Sequence, residues 1–125
     1  MTTRWSAILL LAPAAALACG VCVEDRVAAA YDHAVVVRSL ERRHEVVFLA
    51  IEGEIAASAR LSREIQAAVE SAGGVDPGSA RVSLASASLS FAYDPGRQKL
   101  GPIMRALEKA LASKGLSLSL LRVIT

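Results

Sequence analysis

Cysteine, histidine and aromatic side chains are scarce in this chain of 125 residues: two Cys, two His, two Phe, two Tyr and one Trp. Two cysteines cannot build a disulfide-dense scaffold. Few aromatics and a formal net charge of only +2 argue against a nucleic-acid partner, because neither base stacking nor a strong basic field is on offer. With two histidines and no G-x-S-x-G, H-E-x-x-H or P-loop, an enzyme is not expected. A composition 54% apolar and 21% charged excludes a disordered chain. The length suits one small domain.

Only the N-terminus carries a long apolar run. Arg4 precedes Ala7 to Ala12 and Ala14 to Ala18, and Ala16-Leu17-Ala18 has the small–x–small form of a signal-peptidase site. Residues 1–18 are therefore expected to be a cleavable leader, with the protein periplasmic or secreted. Cleavage after Ala18 makes Cys19 the first residue. A cysteine at that place also matches lipoproteins, although Ala16 and Leu17 fit a lipobox poorly. Membrane attachment is expected only if Cys19 is lipidated or the leader retained.

The remainder alternates helix and strand. Residues 19–43 form a first segment, opening with the C-x-x-C of Cys19 and Cys22 and continuing as one helix. Val23, Val27, Ala30, Tyr31 and Ala34 share its apolar face, and Glu24 and Asp25 suit its first turn. Arg38 to Glu45 reads as a solvated linker or helix end. From residue 44 to 125 the pattern changes. Glu45 to Ile51 is a buried strand stopped by Gly53, and Ala57 to Ala72 is an amphipathic helix stopped by Gly73-Gly74. Arg81 to Tyr93 reads as two strands around Ser86-Ala87, between the Asp76-Pro77-Gly78 and Asp94-Pro95-Gly96 turns. Leu100 to Lys114 is a helix, and Leu116 to Val123 a last strand. The order β-α-β-β-α-β predicts an α+β, ferredoxin-like fold. Its four-stranded antiparallel sheet has two helices on one face, strands one and three central, and an extra helix in front. The serines spaced by two, Ser83 to Ser90, mark an outer strand face.

The stretch from Val46 to Ile124 resembles the heavy-metal-associated domain family of copper chaperones and metal-transporting ATPases. The matching residues are Phe48 to Gly53, Ala68 to Val75, Ser90 to Pro95 and the helix Ile103 to Gly115. That resemblance implies the fold and, together with the chain's own C-x-x-C, motivates a soft-metal cargo such as Cu(I). It also implies a C-x-x-C in the loop after strand one. Here the loop is Gly53-Glu-Ile-Ala-Ala-Ser-Ala-Arg-Leu61, without cysteine, so the family's metal site does not carry over to it. The chain's C-x-x-C stands about 30 residues earlier, as if moved to the front.

Two thiolates are sufficient for linear Cu(I), and a helix start beside them favours the thiolate a metal needs. Zinc wants about four ligands, hence a partner or dimer. After cleavage the α-amine of Cys19 adds a third donor. His33 lies eleven residues past Cys22, roughly 16 Å along a helix, and is expected at the surface. His44 is expected to be solvated, and Glu52 and Glu54 are more readily a solvated loop than a hard-ion site. For Cys19 and Cys22 the alternatives are metal ligation, a structural or redox disulfide, and no site chemistry, lipid attachment included. The rival function is a non-catalytic interaction module that keeps the fold and pairs or dimerises through an open sheet face.

Overall fold

The computed structural model describes residues 22–125. The leader and Cys19 lie outside them. Eight elements follow in order: α1 (Val23–Ala29), α2 (His33–Glu41), β1 (Glu45–Glu52), α3 (Ala59–Ser71), β2 (Arg81–Ser83), β3 (Ser88–Tyr93), α4 (Leu100–Ala112) and β4 (Ser117–Ile124). The strands form one antiparallel sheet ordered β2-β3-β1-β4, so strands one and three are central as the crossover rule requires. This is the ferredoxin-like α+β plan.

Period-two alternation divides the sheet between two cores. On one face Val47, Leu49 and Ile51 of β1 join Leu89, Phe91 and Tyr93 of β3. They meet Ile65 and Val69 of α3 and Ile103, Leu107 and Leu111 of α4. Local chemistry sets the ends of these helices. The Ser58 side chain caps α3 by accepting from Leu61 N at 3.0 Å, and Gly115 turns the chain after α4 at φ +71°.

The other face is not open. α1 and α2 lie across it, where Val27, Ala30, Val35 and Val36 bury Val46, Phe48 and Ala92. From Val23 onward the first segment is thus packed on the sheet. It is also two helices, not one: the chain breaks at Ala30–Asp32, and the Asp32 carboxylate caps α2 by accepting from Ala34 N and Val35 N. Of the two readings of the polar stretch from Arg38, a linker or a helix end, the structure shows the helix end: α2 runs to Glu41, with Val35, Val36 and Ser39 buried along it.

Serine provides a further correction. Ser88 and Ser90 point not to solvent but under α1, with 0% and 3% exposure. Their hydroxyls donate to Arg26 O (2.7 Å) and Ala30 O (2.6 Å). The same alternation that suits a wet face suits a face covered by a helix whose last carbonyls need donors.

Candidate functional site

Cys22 immediately precedes α1, in extended backbone (φ −71°, ψ 153°), and its side chain makes no cap hydrogen bond. It is exposed and in no disulfide among the described residues. The two serine contacts fix its direction. Ser88 lies opposite Ala50, Ser90 lies opposite Phe48, and α1 passes Ser88 at Arg26 before Ser90 at Ala30. The helix therefore runs antiparallel to β1, and its beginning points to the end of the sheet where β1 leaves for the Gly53–Ser58 loop. Cys22 is thus placed at the loop's end of the sheet, on the face opposite α3.

Carboxylates surround that end. Glu24, in the first turn of α1, pairs with Arg122 of β4, and this hydrogen bond, then the charge, holds the Glu24 carboxyl below its usual range. Glu52 is exposed and accepts from Ser119 Oγ at 3.0 Å; Glu54 is exposed on the loop. Among the described residues no three His, Cys, Asp or Glu side chains are grouped to hold an ion. Glu52 and Glu54 accordingly form no hard-ion cage with their neighbours. Any ligation by Cys22 needs Cys19, which lies outside the described residues, or a donor from elsewhere.

The two histidines sit apart from Cys22. His33 starts α2, beyond the far end of α1, and is exposed, with Nδ1 3.0 Å from Tyr31 Oη. His44 is not the solvated side chain expected. It is half-buried between two acidic turns, Nδ1 2.6 Å from Asp76 Oδ2 and Nε2 3.6 Å from Asp94 Oδ2. Both partners come from Asp-Pro-Gly turns, whose sequence signals a bend but not that two bends converge on one imidazole. A second long-range pair, Arg81 Nε to Asp32 Oδ2 at 2.9 Å, ties the start of α2 to β2. That hydrogen bond, followed by the one from Val35 N, holds the Asp32 carboxyl below its ordinary value.

No family model and no curated protein sequence matches the chain. Solved structures do. A copper binding domain from HMA7, a P-type ATPase, superposes with a TM-score of 0.52 at 22% identity, over 65% of this chain and 99% of that one. The N-terminal domain of a potential copper-translocating P-type ATPase from Bacillus subtilis, in its Cu(I)-loaded state, gives 0.50 at 22% identity, over 65% and 91%. This chain shares the fold of those metal-binding domains, and α1 and α2 are additions to the sheet-and-two-helix plan.

Proposed function

We propose that this protein is an exported carrier or binder of a soft metal ion, Cu(I) in type, which it holds through Cys19 and Cys22. The observation that carries the reading is the placement of Cys22. The family resemblance implies cysteines in the β1–α3 loop, where this chain has none, and Cys22 stands at that same end of the sheet on the other face. Two soft thiolates, that of Cys22 exposed, suit an ion that must be taken up and given away, since two-coordinate Cu(I) leaves room for an incoming thiolate. Export through the leader of residues 1–18 is part of the proposal, as is a partner protein that receives the ion.

The test is Cu(I) titration of the chain beginning at Cys19, under reducing conditions. One ion per chain is expected, lost in Cys19→Ser/Cys22→Ser. Binding that is absent, or unchanged in that variant, overturns the reading. The missing loop cysteines favour a second reading, an interaction module that binds no metal. Intact mass of the exported protein separates the two, since it reports the cleavage site, lipid, thiol state and retained metal together.

A further inference from the structure

We propose that the cavity between α2 and the α3–β2 loop is a binding site for a small phosphate-like oxyanion, held by the guanidiniums of Arg38 and Arg42. The cavity encloses about 190 Å³, with Val35, Arg38, Ser39 and Arg42 on the helix side and Asp76 and Ser79 on the loop side. Sites that enclose drug-sized ligands run to roughly 300–1,000 Å³, so this one suits an ion-sized group.

The polar groups of the lining sort into spent and unspent. Ser39 Oγ donates to Val35 O at 2.6 Å, and Ser79 Oγ donates to Asp76 O at 2.7 Å, so neither hydroxyl proton faces the cavity. Pro77, also in the lining, has no N–H. Asp76, the one acidic group there, is engaged by His44 at 2.6 Å. The two arginines differ. Arg60, Arg81, Lys114 and Arg122 each reach a carboxylate, whereas among the described residues no carboxylate or carbonyl engages the side chains of Arg38, Arg42, Arg43, Arg63, Arg97 or Arg105, and of these six only Arg38 and Arg42 line the cavity.

Spacing sharpens the point. Arg38 and Arg42 stand four residues apart at the end of α2, so their side chains emerge from one side of the helix. Like charges so placed repel each other, and an anion between them turns that repulsion into two charge-assisted contacts. The guanidinium forks offer paired N–H donors, the geometry that tetrahedral and planar oxyanions accept. The Asp76 carboxylate on the opposite wall repels an anion, so the attraction must come from the two guanidiniums.

The experiment uses the chain beginning at Cys19, which contains both cores. Inorganic phosphate is titrated at constant ionic strength, with chloride as the balancing salt, while backbone amide shifts are followed by NMR. Saturable shifts are expected at residues 35–42 and 76–79. Each guanidinium removed should weaken binding roughly ten-fold, so Arg38→Ala/Arg42→Ala abolishes saturation. Its phosphate-free spectrum should match the wild type, because both side chains are exposed. Arg38→Lys/Arg42→Lys keeps the charge without the forks and should retain a weaker saturable response.

A parallel arm measures retention on vesicles of phosphatidylcholine with phosphatidic acid. Response to soluble phosphate identifies a free anion. Arginine-dependent retention on vesicles alone identifies a lipid phosphate, and both outcomes support the site. Response to neither, or a response that Arg38→Ala/Arg42→Ala retains, overturns it.

Discussion

The two faces of the sheet are built differently. The face under α3 and α4 is closed by branched aliphatic and aromatic side chains: Leu49, Ile51, Leu89 and Phe91 against Ile65, Val69, Ile103, Leu107 and Leu111, each at 1% exposure or less. The face under α1 and α2 buries smaller groups, Val27, Ala30, Val35 and Val36, around Phe48, on whose ring the half-exposed Tyr31 stacks, with Leu121 and Ile124 at the edge. Two serine hydroxyls are needed there to reach the helix backbone. One cover is held by buried area, the other by less area plus directed hydrogen bonds. The second is also tied by ion pairs from Glu24 to Arg122 and from Asp32 to Arg81, and it is the one that carries Cys22.

The largest effect that tests this contrast is a cavity. Leu107→Ala should cost about 2–5 kcal/mol and unfold the whole domain cooperatively, as read by urea denaturation. Phe48→Ala, at the centre of the second face, should cost about 3–5 kcal/mol in the same assay. There hydrogen exchange should show α1 and α2 opening before the strands, which separates the two covers. If α1 and α2 stay as protected as β1, the faces are not energetically distinct.

A smaller step removes only the tether. Ser90→Ala leaves the buried carbonyl of Ala30 without its donor, a loss of about 1–3 kcal/mol. Exchange should rise in α1 while α3 and α4 stay unchanged. Equal rises on both faces would count against the tether.

Tyr93 probes the first face by pH. Its hydroxyl donates to Glu45 Oε2 at 2.6 Å, and burial, then this hydrogen bond, pushes its pKa to about 12. The shift favours the neutral phenol in the folded state. The stability it supplies is complete below the unfolded value near 10 and is lost as pH rises from there towards about 12. Ultraviolet titration should show one tyrosine ionising near pH 12, absent in Tyr93→Phe. The smallest effect is at Asp32, where the sign reverses. Its lowered carboxyl pKa supplies stability above the ordinary aspartate value, lost as pH falls below it. Asp32→Asn should flatten the acid limb of the stability profile, and Arg81→Ala should do the same.

The first face was legible because period-two runs and helical stripes there are written in aliphatic residues, punctuated by Gly53, Gly73-Gly74 and Gly115. The second was misread for physical reasons. Ser88 and Ser90 alternate as a wet face would, and nothing local says that their hydrogen-bond acceptors lie 62 and 60 residues away. Asp32 is a good helix cap by residue type, but the apolar spacing of Val27, Ala30, Tyr31 and Ala34 continues through it and masks the break. His44 with Asp76 and Asp94 was invisible because each residue comes from a different connection. Arg38 and Arg42, read as solvated charge, are indeed exposed, and only the fold shows that they line a cavity.

Gly53 has a consequence beyond its own turn. It sits at φ +122°, and a Cβ there would stand 2.5 Å from the carbonyl oxygen of Gly115. The β1–α3 loop and the α4–β4 turn are thus interlocked backbone to backbone at the end of the sheet that Cys22 approaches. A side chain at position 53 would therefore have to displace the α4–β4 turn as well as strain its own backbone, so the two connections tolerate change only together at this point.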